Sequence, residues 1–241
     1  MTVRTLLVRG LVAGVAAGVL SWLFSYLFGE PALRDALAFE GHAHGEELVS
    51  RGVQSTIGLG TALVLYGVAI GGLFALAYAV AYGRIGSLGP RATAAVLAAG
   101  AFVVVFLVPF LKYPANPPAA TDDSTVGQRT GLYLVLVLVS VLLAVGSVLL
   151  GRRLHPRVGA RNAVLLGGGL YLAAITVVLL VLPTVSQPPA DFPATVLYEF
   201  RLASVGNQVV LWATIGLVFG VFTARALPRS RAASVDSEVA P

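Results

Sequence analysis

The chain has 241 residues, of which 57% are hydrophobic and only 11% are charged. Soluble domains carry about 25% charged residues, so this composition excludes a soluble globular protein and predicts an all-α, polytopic integral membrane protein. The net charge of +5 does not indicate nucleic-acid binding, because the arginines lie beside apolar runs, and the absence of cysteine excludes disulfides and thiolate metal ligands.

Six segments are long and apolar enough to be membrane spans, since a spanning helix needs about 20 apolar residues. The first is interpreted as a span rather than a signal peptide, because its apolar core exceeds the usual length of about 7–15 residues. We expect one transmembrane domain, residues 1–227, followed by a short disordered tail, residues 228–241. The predicted spans are residues 6–28, 56–82, 92–111, 131–150, 163–182 and 204–224.

The distribution of charge predicts the orientation of these spans. The amino terminus, loops 83–91 and 151–162, and the tail from Arg225 hold 11 of the 16 Lys+Arg residues. The other three loops hold five, together with nine of the eleven acids. By the positive-inside rule both termini are expected in the cytoplasm, and the spans form three hairpins that run outward and return.

The first span carries Gly10, Gly14 and Gly18, which form two overlapping G-x-x-x-G steps. In lipid no hydrophobic force drives helices together, so small residues that let two backbones approach provide the packing surface. We therefore expect this face to pack against another helix. A glycine-lined permeation path is the alternative.

The loop after the first span contains the stretch GHAHGEE, flanked by further acids. Two histidines at i and i+2 project to the same side of an extended segment, and imidazole with carboxylate suits cobalt, nickel, copper or zinc. The loop therefore predicts a site that captures a divalent ion transiently. The alternative is a solvated acidic connection in which Glu47 pairs with Arg51. The candidate ligands are His42, His44, Glu40, Glu46 and Glu47.

Each return helix is preceded by an arginine close to an amide side chain. These are Arg51 with Gln54, Arg129 with Gln128, and Arg201 with Asn207 and Gln208. The pattern predicts a degenerate hairpin repeat with a period of 70 to 82 residues. Internal repeats are common in transporters, whose substrate sites lie at the repeat interface.

The second outward segment, VPFLKYPANPPAATDD, is rich in proline. Pro109 should bend the third helix near its end, and the prolines beyond it exclude regular helix. Lys112, the single lysine of the chain, and Tyr113 are interpreted as a snorkelling cation and an aromatic-belt residue. Alternatively this segment, which includes Asn116, folds back as an outer gate.

The last outward segment leads into the sixth span with FPATVLYEFRLASVGNQ. Glu199 and Arg201 lie just before the span, and Asn207 and Gln208 lie inside it, where polar groups usually face the bundle interior. They form an interhelical hydrogen bond or contribute to a transport path. The candidates for a path or gate are Arg51, Gln54, Lys112, Tyr113, Asn116, Arg129, Glu199, Arg201, Asn207 and Gln208.

No motif indicates catalysis. The sequence contains no G-x-x-x-x-G-K-[ST], no H-E-x-x-H and no G-x-S-x-G. We therefore expect a protein that is not an enzyme and binds no nucleotide, and an intramembrane enzyme has no supporting motif.

An ordered set of segments resembles CbtA, a family of probable cobalt transporter subunits, from about Arg9 to Arg225. The most specific segments are VSRGVQST and FLKYPANPP, and the others include RGLVAGVAAGVL, FGEPAL, GGLFALAYA, GQRTGLYL and GLVFG. The resemblance implies a multi-pass protein of a prokaryotic plasma membrane that takes up cobalt(II) or a similar divalent ion, linked to cobalamin supply.

The resemblance also implies that no cofactor is permanently bound. The partners that it implies are lipid, the metal ion and a small histidine-bearing membrane subunit. Members of the family are often described with five spans, whereas hydropathy and charge here favour six. The competing function is a scaffold or accessory protein that transports nothing and stabilises a partner.

Overall fold

A computed structural model describes residues 2–40, 50–84, 86, 88–121, 123–185 and 188–238. Every regular element in these ranges is a helix, which confirms the all-α class. Five helices are long and apolar enough to cross a membrane. They are α1 (Val3–Phe39, helical to Glu40), α2 (Arg51–Ala81), α3 (Pro90–Lys112), α4 (Val126–Val181) and α5 (Ala194–Arg225, helical to Glu238).

Helices α1, α2 and α3 each contain a π-helical turn. The turn inserts an extra residue into the helix and so changes the direction in which the following side chains project. Two short 3₁₀ helices, Pro118–Ala120 and Asp123–Thr125, connect α3 to α4. The π-helical turns are Ser25–Gly29, Gln54–Gly58 and Phe102–Leu107, and each lies between α-helical segments.

Helix α4 contains both the fourth and the fifth predicted spans. Its backbone is interrupted at Gly159, where φ is 80° and ψ is 166°. A Cβ built on Gly167 would lie 3.0 Å from the Ser147 carbonyl oxygen. The hydroxyls of Ser140 and Tyr171 are 2.8 Å apart. The two halves of α4 therefore lie side by side and antiparallel.

The loop between the fourth and fifth predicted spans is shorter than the predicted residues 151–162. Helix continues through the arginines on both sides, and the chain reverses at Gly159, because a residue without a Cβ adopts positive φ at little cost. When α4 is counted as one continuous helix, the described part of the chain has five helices long enough to cross a membrane. The disorder predicted beyond Pro228 stays a prediction.

The helices group into two compact units, which are Met1–Phe102 with Tyr198–Pro241, and Val103–Leu197. In the first unit α1 and α2 pack antiparallel through glycine. A Cβ built on Gly14 would overlap the Gly67 carbonyl oxygen and lie 2.9 Å from the Val68 Cα. One built on Gly18 would lie 2.6 Å from the Leu63 carbonyl oxygen. The predicted packing role of the glycine face is confirmed.

Helix α5 packs against α2 and α3 in the same unit. A Cβ built on Gly216 would lie 2.7 Å from the Ala98 Cβ. The ring of Phe219 packs edge-on against Phe74 and Tyr78, with centroid distances of 5.3 and 4.9 Å. Small residues therefore let the helices approach, and aromatic rings fill the space beside them.

The second unit has a core of Val108, Tyr113, Leu136 and Ile175, contributed by the end of α3 and both halves of α4. Large apolar side chains such as Leu180 lie on the outside and are exposed. A helical surface that exposes large apolar side chains in this way is typical of a bundle that faces lipid.

Candidate functional site

The predicted metal-capture loop lies outside the described residues, and with it His42, His44, Glu46 and Glu47. Glu40 is the last helical residue of α1. Within the part of the chain that the structure describes, no group of three or more histidine, aspartate or glutamate residues could hold a metal ion. The capture site stays a prediction.

A buried carboxylate lies where α1 and α2 approach this loop. Glu30 is only 4% exposed, and the Arg51 guanidinium donates from Nη2 to Glu30 Oε1 over 2.6 Å. Arg34 contacts the same oxygen over 3.5 Å. Arg51 also donates from Nη1 to Gln54 Oε1 over 3.0 Å, so the predicted neighbours Arg51 and Gln54 are in contact.

We call Glu30, Arg34, Arg51 and Gln54 the carboxylate cluster. Two π-helical turns adjoin it, since Ser25–Gly29 ends directly before Glu30 and Gln54–Gly58 begins at Gln54. Such turns occur frequently at functional sites. Sequence reasoning missed Glu30 because it counted this residue among the loop acids. Its position at the end of an apolar run, within FGEPAL, was the available signal.

A second group of polar atoms lies deeper in the first unit, where α1, α2 and α5 meet. A Cβ built on Gly206 would lie 2.5 Å from the Phe24 ring, and one built on Gly60 would lie 3.0 Å from the Trp22 indole. Four buried side-chain atoms, on residues within two positions of Trp22 or Gly206 in the chain, have no hydrogen-bond partner in the described structure. They are Ser21 Oγ, Trp22 Nε1, Asn207 Oδ1 and Gln208 Oε1.

We call Ser21, Trp22, Asn207, Gln208 and Trp212 the polar belt. Trp212 Nε1, one turn beyond Gln208, is also buried without a partner among the described residues. A buried polar group without a partner is costly, so unpaired donors and acceptors on these helices favour bound water or a hydrated ligand beside them. The oxygens of Ser21, Asn207 and Gln208 can accept hydrogen bonds from the water molecules of a hydrated cation, whereas the two indole N–H groups only donate.

Sequence reasoning identified Asn207 and Gln208 but missed the other three members of the polar belt. Helical spacing was the available signal. Ser21 follows Gly14 and Gly18 on the packed face of α1, and Trp212 lies one turn from both Gln208 and Gly216. Of the remaining candidates on α5, Glu199 is exposed, and Arg201 is half-buried like Asn207 and Gln208.

The proline-rich segment of the second unit is attached to the chain that follows α4. The buried Tyr113 hydroxyl donates to the Pro183 carbonyl oxygen over 2.8 Å, and Lys112 Nζ donates to Thr184 Oγ1 over 3.4 Å. Burial raises the pKa of the Tyr113 phenol, so this hydroxyl stays protonated and remains a donor. The segment is therefore held in place by side-chain contacts.

Arg129 joins the start of α4 to the same segment. Its guanidinium donates to Thr121 Oγ1 over 3.1 Å and to the Pro114 carbonyl oxygen over 3.3 Å, whereas its predicted neighbour Gln128 is exposed. The side chain lines an open cavity of about 490 Å³ together with Tyr113 and Asn116. Arg51 and Arg129 thus both bind the segment that precedes their helix, and the hairpin repeat stays a prediction.

Comparison with known proteins gives one match. The model of a family described as "Probable cobalt transporter subunit (CbtA)" matches residues 3–224. No curated protein and no solved structure matches the chain. The matched range includes the carboxylate cluster, the polar belt and the proline-rich segment.

Proposed function

The chain belongs to the CbtA family of probable cobalt transporter subunits, and from this premise we propose that it takes up cobalt(II) through its first helical unit. The observation that carries the route is the polar belt, because polar side chains inside apolar helices often mark the paths of ions and substrates. The cation enters from the loop between α1 and α2 and crosses between α1, α2 and α5. The uptake serves cobalamin supply.

We further propose six membrane crossings, with both termini in the cytoplasm of a prokaryotic cell. The antiparallel halves of α4 support two crossings by that helix, since they reverse at Gly159 among Arg152, Arg153, Arg157 and Arg161. An arginine-rich reversal fits the cytoplasmic side. The loop containing His42 and His44 then faces outward.

The test of the function is metal accumulation by cells that lack their own cobalt uptake, with and without this chain, for cobalt, nickel, zinc and magnesium. We expect cobalt to accumulate and magnesium not to, because the imidazoles of His42 and His44 favour transition ions over magnesium. The same measurement in liposomes shows whether the chain transports alone. Flux that requires a small histidine-bearing subunit would identify the chain as the accessory component, and no flux with or without that subunit would refute the proposal.

The orientation predicts where a reporter is active. A fusion after Pro241 should behave as cytoplasmic, and a fusion at the chain reversal near Gly159 should behave in the same way. A fusion between Gly41 and Leu48 should report the outside. An external signal after Pro241 would contradict the six-crossing arrangement and favour five.

The outward loop predicts a change in apparent affinity. Changing His42 and His44 together to alanine should raise the cobalt concentration for half-maximal uptake several-fold, by roughly 3- to 10-fold, because two ligands are lost from a flexible site of modest affinity. The maximal rate should be largely retained. Uptake by the unmodified protein should also weaken below about pH 6, since protonated imidazole cannot bind a metal.

Changing Glu46 and Glu47 to glutamine provides a matched comparison, because it alters the same loop and retains both imidazoles. We expect a smaller change in half-maximal concentration from this pair. Unaltered uptake at limiting cobalt in the histidine variant would show that the loop is only a solvated connection.

A further inference from the structure

We propose that Glu30 is a binding site for the incoming divalent cation and that Arg51 occupies this site when no cation is bound. The inference rests on the proposed uptake function and adds a residue that the cation must bind before it reaches the polar belt. In this arrangement Arg51 is a tethered counter-ion, and the cation displaces it.

Glu30 carries a charge that is buried in the first unit. Within the described part of the chain, Glu30 is the only charged side chain among the buried polar ones. A carboxylate removed from water is destabilising unless a cation compensates it. The contact of 2.6 Å between Arg51 Nη2 and Glu30 Oε1 supplies that compensation here.

Arg51 and Glu30 differ in their exposure to solvent. The Arg51 side chain is 36% exposed, whereas that of Glu30 is 4% exposed. Arg51 can therefore move into water and keep its hydration, but Glu30 cannot. If Arg51 leaves, Arg34 remains as a more distant and more exposed counter-ion of Glu30, and a divalent ion can supply the compensation that is lost.

Arg51 holds two oxygen atoms that could act as metal ligands once it leaves. Arg51 donates to Glu30 Oε1 and to Gln54 Oε1, so its departure frees a carboxylate oxygen and an amide oxygen together. Oxygen ligands with water complete the coordination of a partly hydrated divalent ion. Arg34, which contacts Glu30 over 3.5 Å and is 63% exposed, is a weaker competitor for the same oxygen.

The position of Glu30 along α1 also fits a site on the proposed route. Glu30 lies between Ser21 of the polar belt and the loop that begins at Gly41, and the π-helical turn Ser25–Gly29 separates it from Ser21. A cation arriving from that loop therefore meets Glu30 before the polar belt. One carboxylate and one amide make a weak site, which allows the ion to move on.

The experiment is calorimetric titration of the purified full chain with cobalt(II) chloride, with His42 and His44 replaced by alanine in every sample so that the loop does not contribute. Glu30→Gln should weaken cobalt binding by about 10-fold or more, because the charge is lost while the shape is kept. Arg51→Gln should strengthen binding by about 3-fold or more, because it removes the competing cation. Arg34→Gln removes the same charge from a more exposed position and should change binding by less than about 2-fold.

The expected changes in cobalt affinity are opposite for Glu30→Gln and Arg51→Gln, and this difference distinguishes a cation site from an ion pair that only stabilises the fold. A purely structural pair would make both single variants less stable and shift cobalt binding in the same direction, which would overturn the inference. If Glu30→Gln folds poorly, Glu30→Asp replaces it in the test, because aspartate retains the charge. This variant should preserve part of the cobalt binding, and loss of all binding would also count against a cation site. If the unmodified protein accumulates cobalt and Glu30→Gln does so equally well, the inference fails and the proposed function stands. If the unmodified protein accumulates none, either alone or with the small histidine-bearing subunit, both fail.

Discussion

Replacing Gly14 with leucine is expected to remove most of the folded protein. Even a Cβ at this position would overlap the Gly67 carbonyl oxygen and lie 2.9 Å from the Val68 Cα, and both are backbone atoms. Backbone cannot move aside as a flexible side chain can, so α1 and α2 would have to separate. We expect a loss at or above the upper end of the usual overpacking range of about 1–3 kcal/mol.

The measurement is the yield of monodisperse protein and its thermal unfolding temperature in detergent. Gly100→Leu is the matched control, because Gly100 lies in α3 of the same unit and a Cβ there would meet nothing within 4 Å. The control should behave like the unmodified chain. Equal yield and unfolding temperature for Gly14→Leu would mean that α1 and α2 do not pack through this face.

Replacing Asn207 with leucine is expected to reduce cobalt uptake by about tenfold or more while leaving the protein as stable or more stable. The Asn207 Oδ1 atom is buried and has no hydrogen-bond partner in the described structure. Replacing this amide by an apolar group of similar size breaks no hydrogen bond to Oδ1 within the described structure, so stability should not fall. The same change removes an acceptor from the proposed route.

Uptake at saturating cobalt and the unfolding temperature would be measured on the same preparation. Gln128→Leu is the matched control, because it removes an amide from an exposed position at the start of α4 and should alter neither property. A variant of Asn207 that loses stability and uptake together would indicate an interhelical hydrogen bond. Retained uptake would exclude Asn207 from the route.

The two outcomes for Asn207 separate alternatives that the sequence leaves open. A polar residue inside an apolar run is expected to face the interior of the bundle, but the run alone does not show whether a partner is there. Within the described ranges, Asn207, Gln208 and Trp212 have buried polar atoms without partners, and this favours a hydrated path over a structural bond. Sequence spacing could place Gln208 and Trp212 on one face of α5, but it could not show that their buried polar atoms lack partners in the described structure.

The carboxylate cluster illustrates a different limit. The sequence predicts that Arg51 and Gln54 lie together, because i,i+3 residues are neighbours on a helix, and the contact of 3.0 Å confirms it. It does not predict that Glu30 is their partner, because Glu30 belongs to another helix. The π-helical turns Ser25–Gly29 and Gln54–Gly58 also change the facing of the residues beyond them, and no simple periodicity predicts such turns.

The sequence by itself determined the helical membrane class, the family and the glycine face of α1, because composition, apolar run length and small-residue spacing are local properties of the chain. Only the tertiary structure decided which groups meet. It joined Glu30 to Arg51, brought Ser140 to Tyr171 by reversing α4 at Gly159, and left Asn207 Oδ1 without a partner among the described residues. The physical reason is that burial and pairing depend on the neighbouring helix, and in lipid that neighbour is selected by close packing of small residues rather than by hydrophobic pattern.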